Sequence, residues 1–503
     1  MKILSARQLK EADQHTLQEQ QITAADLITR AATAFADEFM RLFAATREVM
    51  IFCGPGNNGA DALAVARILF KKDYHISVYV LNGSEKKIQP EGNLDKKNRF
   101  LPITYISHVR DLPIIAANKV VIDGLFGTGI NRQIDGLAAE LIQHINQSLA
   151  TVVAIDVPSG LGADSANISS TIINADYTIS FETPKLSFFL PGSDEFVGDW
   201  LVVSIGLDKQ YMLSAESDYY AVTLRHVAAK LRPRKKFDHK GQFGTALLMA
   251  GSYGMMGAAL LAARACLRSG VGKLRVQVPA AGNEIMQISV PDAMTLPDSD
   301  PHVLSQFPDL EMFTAIGIGP GIGKHEKTAN LMRELLHQAK APLVIDADAI
   351  NIMAEHPDIL DLLPHNSILT PHLKEFERLT GTSHNDFERL QKLQDFCRQR
   401  NCYVVLKGAY SCTCTPRGCC YFNTTGNPGM ATGGSGDVLT GIITGLLAQQ
   451  YSPHEAAVIG VYIHGLAGDF AKDQLGTYAL TASDIVLNLG EAFLRVEEMH
   501  YKN

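Results

Sequence analysis

Long apolar runs are missing from this chain. No stretch reaches the roughly 18 apolar residues that a helix needs to cross a bilayer; even ALLAARACLRSGVG is broken by Arg264 and Arg268. The opening MKILSARQLKEADQHT lacks the apolar segment and cleavage site of a secretory signal. No membrane partner is expected, and the expected compartment is the cytoplasm. Cysteine is scarce, eight in 503 residues, which excludes a disulfide framework. Four cysteines do cluster, Cys412, Cys414, Cys419 and Cys420 in SCTCTPRGCC. They form no Cys-x-x-Cys pair, and no second knuckle or nearby His completes a zinc site. They read as a β-hairpin turning at TPRG and carrying reduced thiols. Positive charge is also in deficit: the formal net charge is -8. Nucleic acid demands clustered Lys and Arg, so it is not an expected partner. The one basic run, RPRKKFDHK, reads as a solvated linker.

What is present is an α/β alternation, twice. EVMIFCG, HISVYVL, KVVIDG and TVVAIDVPSG read as buried strands, with NGADALAVARILFKK and LAAELIQHINQS as intervening helices. After a junction near 214–241 the pattern restarts with GTALLMAG, KLRVQVP, FTAIGIGPG, APLVIDADA, NSILTPH and CYVVLKG. Continuous apolar strands separated by helices indicate parallel sheets covered on both faces. In both halves the polar motifs directly follow strands, where α/β proteins bind ligands. Two sites are therefore expected.

In the first half, CGPGNNGADAL joins a strand to a helix. Its glycines allow tight turns, and a helix starting near Asn58 offers free N–H groups to an anion. A plain strand–turn–helix connection is the competing reading. Two further strands end in Asp123 and Asp156, the latter followed by Ser159. Oxygens of Asn58, Asp123 and Ser159 suit a hard monovalent or divalent cation. Asp156 is then free for proton transfer.

In the second half, GSGDVLTG puts Gly434, Ser435 and Gly436 at a helix start with Asp437 in the first turn. Bare N–H groups there suit a transferring phosphoryl group, and Asp437 could take a proton from an attacking hydroxyl. An Asp favoured only by the helix dipole is the simpler alternative. Lys407 ends a strand, as do Asp346 and Asp348, and His372 and Glu375 follow another. Glu375 could orient a water on Mg2+. A kinase is one reading of this half.

GNNGAD, DGLFGTGINR and DVPSGL, in this order, resemble the epimerase domain of NAD(P)H-hydrate repair enzymes across residues 1–215. Ala60 stands where that family usually has a second Gly. The resemblance implies that Asn57, Asn58, Gly59, Ala60, Asp61, Gly127, Thr128, Gly129, Ile130, Asn131, Arg132 and Gln133 line a hydrated nicotinamide nucleotide. It implies potassium at Asn58, Asp123 and Ser159, and Asp156 against the nicotinamide hydrate. HKGQFG, IGPGIG, DADAIN, TPHLKE, LKGAYS and GNPGMATGGSGDVL resemble the dehydratase domain of the same family across residues 220–503. Leu373-Lys374 replaces the family's usual Pro-Gly before Glu375. This second resemblance implies that Ala258, Gly321, His372 and Asp437 face the hydrate. Lys407, Gly408, Ala409, Tyr410, Ser411 and Gly436 would face ADP, the co-substrate, with Mg2+ as cofactor. The implied architecture is a Rossmann-like three-layer α/β/α domain followed by a ribokinase-like α/β domain, in a homo-oligomer. The implied chemistry is epimerisation of R and S hydrates, with ADP-driven dehydration of the S form. The rival reading is a ribokinase-type small-molecule kinase with an N-terminal nucleotide-binding or interaction module.

Overall fold

The computed structural model describes residues 1–82, 101–130 and 132–501. The chain divides into two compact units that meet in sequence at Ser217–Asp218, apart from Met1 and Asn385–Phe387.

In the first unit seven parallel strands form one sheet: β1 Glu48–Cys53, β2 His75–Leu81, β3 Ile103–Ile106, β4 Val120–Gly124, β5 Thr151–Ile155, β6 Tyr177–Phe181 and β7 Asp199–Val203. Their spatial order is β3-β2-β1-β4-β5-β6-β7. Alternation along the strands shows that both faces are covered. Val49, Ile51, Val120, Ile122, Val153 and Ile155 pack with the helices Ala24–Leu42 and Asn57–Lys71. Met50, Phe52, Val121, Val152 and Ala154 pack with Gly136–Asn146 on the other face. The three-layer expectation therefore follows from the side chains. The chain runs outward in one direction from β1 and in the other from β4. The crevice between these strands' carboxyl ends is thus the topological switch point.

The second unit has ten strands: β8 Tyr219–Val222, β9 Thr245–Met249, β10 Lys273–Val278, β11 Met294–Pro297, β12 Ala315–Ile318, β13 Leu343–Ile345, β14 Ile368–Leu369, β15 Tyr403–Leu406, β16 Cys412–Cys414 and β17 Cys420–Asn423. The order is β11-β10-β9-β12-β13-β14-β15-β16-β17-β8, with antiparallel pairing only around β16. Its switch point lies between β9 and β12. Helix Ser435–Ala448 is buried throughout from Val438 to Ala448. It presses so closely on helix Met256–Arg268 that a Cβ at Gly441 would fall 2.1 Å from the Ala262 carbonyl oxygen.

Two readings of the sequence need amendment. The junction contains a strand, β8, which pairs with β17; four residues flanked by polar ones carry too short a pattern to be seen. The basic run is less of a free linker than expected: the Arg232 guanidinium stacks 4.3 Å from the Tyr451 ring centroid and Arg234 stacks 3.9 Å from that of Phe243. The cysteines lie as read. β16 and β17 form an antiparallel hairpin with Cys414 opposite Cys420, closed by Gly418 N–H donating to the Thr415 carbonyl, and all eight thiols are free.

Candidate active sites

At the first switch point, β1 runs into Gly54–Gly56 and then into helix Asn57–Lys71. The turn admits no side chain at two of its glycines. A Cβ on Gly54 would lie 1.7 Å from the Leu125 carbonyl oxygen, and one on Gly59 would lie 1.9 Å from that of Gly54. The backbone beyond β4 is thereby pressed onto the helix start; Asn58 and Ser159 converge on the peptide of Phe126, and Asp123 bonds Ser159 and the Leu125 N–H. Asn58 Nδ2 donates to the Phe126 carbonyl at 3.0 Å. Ser159 Oγ accepts from Phe126 N–H at 2.7 Å and donates to Asp123 Oδ1 at 2.6 Å. Asp123 Oδ2 accepts from Ser159 N–H at 2.8 Å. Asp123 is fully buried, and burial pushes its carboxyl up to about 6 against those hydrogen bonds. No cationic side chain pairs with it among the described residues. A buried carboxylate, a hydroxyl, an amide and a carbonyl with no positive charge nearby form an oxygen-only donor set, which fits a hard cation.

Asn57, Asn58, Gly59, Ala60 and Asp61 make the first turn of that helix. Gly127, Thr128, Gly129, Ile130, Arg132 and Gln133 form the partly exposed loop after β4; Asn131 lies outside the described residues. Asp156 corrects the reading of a free carboxylate. It sits at φ +63°, in the left-handed region that strains a non-glycine residue. Its Oδ1 accepts from Lys185 Nζ at 2.7 Å, Phe181 N–H at 2.9 Å and Ser180 Oγ at 3.2 Å. Oδ2 has no partner among the described residues. Lys185 is only 1% exposed, and Asp13 adds a further carboxyl. Burial, then the charge of Asp156, pushes Asp13 up to about 6. Burial, then the charges of Asp156 and Asp13, pushes Asp61 up to about 8. The sequence reading missed Lys185 and Asp13. The only sequence signal was a lysine after Pro184 beyond a buried strand.

At the second switch point, Gly251 N–H donates to the Pro320 carbonyl at 2.8 Å and Ser252 Oγ donates to the Gly321 carbonyl at 2.8 Å. Gly321 lies at φ +63°, and a Cβ there would meet that of Ala258 at 3.0 Å, so these two residues share one wall. His372 caps helix Leu373–Thr380: its Nδ1 accepts from the N–H groups of Lys374 and Glu375, while Glu375 Oε2 accepts from His372 N–H at 2.8 Å. The His-x-x-Glu spacing is thus a reciprocal cap, with His doing what Ser usually does. The His372 ring stays half exposed.

Lys407 follows β15, tied to the Pro371 carbonyl through its N–H. Its Nζ lies 2.8 Å from Asp346 Oδ1 and 4.0 Å from Glu375 Oε2. Thr440 Oγ1 donates to the other Asp346 oxygen at 2.7 Å. A Cβ on Gly436 would lie 3.2 Å from Lys407 Nζ, so a side chain there would crowd the ammonium at the helix start. Burial draws the Lys407 ammonium down, but the charges of Asp346 and Glu375 outweigh it and hold it above its ordinary value. Gly434 caps helix Ser435–Ala448 at φ +91° with no side-chain cap; Ser435 N–H donates to the Thr432 carbonyl at 3.4 Å, and the N–H groups of Gly436 and Asp437 follow it in the first turn. Asp437, in that first turn, is pushed up to about 7 by burial and by Asp346 and Asp348, with Lys407 opposing. Gly408 to Ser411 turn tightly, Gly408 N–H donating to Ser411 Oγ at 3.2 Å; Ala409 is exposed and Tyr410 partly so. One neighbour was not read from sequence: His464 Nε2 lies 3.3 Å from Ser435 Oγ.

A family model described as NAD(P)H-hydrate dehydratase matches residues 246–489, and one described as YjeF-related protein N-terminus matches residues 24–187. The bifunctional NAD(P)H-hydrate repair enzyme Nnr of Moorella thermoacetica is 34% identical over 518 residues, covering 99% of this chain and 98% of its own length. The enzyme of that name from Coxiella burnetii is 32% identical, covering 96% and 97%. Among solved structures, a ribokinase-like superfamily protein from Enterococcus faecalis is 26% identical, with a TM-score of 0.50, covering 56% of this chain and 98% of its own. The chain belongs to the family of bifunctional NAD(P)H-hydrate repair enzymes.

Proposed function

We propose that this chain returns hydrated nicotinamide dinucleotides to use, epimerising the R and S hydrates in its first unit and dehydrating the S form in its second. The observation that carries the reading is the glycine-capped helix start, free of any side-chain cap, with Asp437 beside it and Lys407 against Gly436. The hydrate hydroxyl is a poor leaving group. Asp437 takes its proton as that oxygen attacks the terminal phosphoryl of ADP, and the helix N–H groups and the Lys407 ammonium stabilise the charge on the transferring group. Phosphate then leaves C6 while C5 gives up a proton to solvent, the C5=C6 bond of the dihydropyridine reforms, and the products are NAD(P)H, AMP and phosphate. Ala258, Gly321 and His372 face the hydrate, and Lys407–Ser411 with Gly436 face the nucleotide.

Mg2+ keeps several waters and binds through substrate phosphates and one or two carboxylates. Asp346 already serves Lys407 and Thr440, and Glu375 caps a helix and faces Lys407, so the metal would arrive with the phosphates and meet Glu375 through water. In the first unit potassium would be held by Asn58, Asp123 and Ser159, balancing the buried Asp123 charge. Asp156 serves there as the proton-transfer group. The test is incubation with both hydrate epimers and ADP while following epimer ratio and reduced-nicotinamide absorbance. Free phosphate with NADH supports the reading; a stable phosphorylated substrate would establish the kinase alternative.

A further inference from the structure

Three titratable groups of the first site, Asp13, Asp61 and Lys185, have no role in the chemistry above. Lys185 is buried to 1% exposure, and its ammonium lies 2.7 Å from Asp156 Oδ1, 3.0 Å from Ser180 Oγ and 3.1 Å from the Thr183 carbonyl. It lies 3.3 Å from the Phe181 carbonyl as well. An ammonium has three hydrogens, so this lysine is saturated by the protein. It has nothing left to offer a ligand and acts only through Asp156. Burying a lysine is costly, and placing it where it bonds one oxygen of one carboxylate is a specific arrangement.

The consequence is an asymmetry. Three carboxyls from three elements gather here: Asp13 from helix Ala6–Glu19, Asp61 from the first turn of helix Asn57–Lys71, and Asp156 after β5. Only Asp156 bonds the cation directly; Asp13 feels its charge at longer range. Asp61 makes no hydrogen bond and no ion pair among the described residues, and it lies in the turn read as lining the hydrate. Resting on the epimerase reading above, we propose that Lys185 is the positioning residue of this site and that Asp61 is its second catalytic carboxyl: Lys185 fixes Asp156 Oδ1, Oδ2 accepts the substrate's hydroxyl proton, and Asp61 donates a proton to the ring nitrogen.

The step balances. The hydroxyl at C6 gives its proton to Asp156 as the C6=O bond forms. The C6–N1 bond breaks, its electron pair stays on N1, and Asp61 protonates N1. Rotation of the open aldehyde presents its other face. N1 then attacks C6 and returns its proton to Asp61, while Asp156 returns the other to oxygen. One donor and one acceptor are needed in each direction, and a pair of carboxyls in unequal surroundings supplies them. The burial that pushes Asp61 up to about 8 keeps it protonated at neutral pH, in keeping with a donor.

The experiment uses the full chain and purified R hydrate, with epimers resolved by chromatography. Asp61→Asn should lower epimerisation about 10²-fold or more. Asp61→Ala should regain part of its rate when formate is added at acidic to neutral pH. Lys185→Met, of similar length, should lower kcat at least tenfold with KM within twofold, since it alters where Asp156 points and not what binds. Parent turnover in Asp61→Asn, or no formate response in Asp61→Ala, overturns the donor role. A Lys185→Met that changes KM alone overturns the positioning role. Thermal melts check that each variant folds; if Lys185→Met does not, the Asp61 variants decide. If the unaltered chain does not interconvert the epimers, the epimerase reading falls as well, whereas normal epimerisation by the chain and its variants removes only this inference.

Discussion

Asp437→Asn separates function from stability at one carboxylate. Its folded-state value, raised to about 7, means that the fold favours the protonated form. Below an unfolded value near 3.9, both states hold the proton and the group is neutral to stability. As pH rises from there the unfolded chain ionises first, so stability falls until about pH 7 and is constant above. This is the reverse of the usual salt-bridged aspartate. A gap of about three pH units corresponds to roughly 4 kcal/mol at most, since each unit is 1.36 kcal/mol. That gap already includes the opposing charge of Lys407. Asparagine keeps the shape, is tolerated near helix N-termini and cannot ionise. The variant should therefore melt with the parent near pH 4 and several degrees above it at pH 8. The same change removes the base, so dehydration of the S hydrate should fall by about 10²-fold or more, some 2.7 kcal/mol of barrier. In the parent, dehydration should rise with pH through about 7 as Asp437 loses its proton. Nucleotide should still bind and epimerisation should continue. The assays are melts at both pH values, and absorbance of reduced nicotinamide beside chromatography of the epimers. NADH restored at near the parent rate would leave Asp437 a helix-dipole partner only and sink the mechanism.

Asp123→Ala removes the buried carboxylate of the oxygen cluster; epimerisation should weaken and lose its response to potassium, with dehydration of the S hydrate retained. Equal loss of both activities in a folded protein counts against two separate sites. Asp156→Asn should cut epimerase turnover about 10²–10⁴-fold while hydrate binding, measured by titration, changes little; unchanged turnover rules out the proton-transfer role. Gly436→Ala places a methyl 3.2 Å from Lys407 Nζ and should raise the KM for ADP without altering epimerisation, a comparison made on one preparation with both assays.

Both halves of the fold were legible because their strands are continuous apolar runs ended by glycine and aspartate. Periodicity and turn residues are local, and a chain with two such series has few ways to pack them. The places of the motif residues were legible for the same reason: Asn58, Asp123, His372, Lys407 and Asp437 each sit at a strand end or helix start, and Ser159 in the turn that follows β5, places that sequence marks. Helix burial and partner choice were not. Lys185 was not singled out, because nothing within a few residues shows that Asp156, 29 residues away, will accept its hydrogen bond. His464 lies mid-helix, 29 residues from the Ser435 it meets. The strand at Tyr219–Val222 and the stacking of Arg232 on Tyr451 likewise depend on partners far along the chain, whereas the cap that absorbs Glu375 is a local contact three residues from His372. Local sequence determined the elements and where their chemistry would emerge. Tertiary structure decided which carboxylates are paired, which are buried alone and which keep their protons, because desolvation and charge act through space and not along the chain.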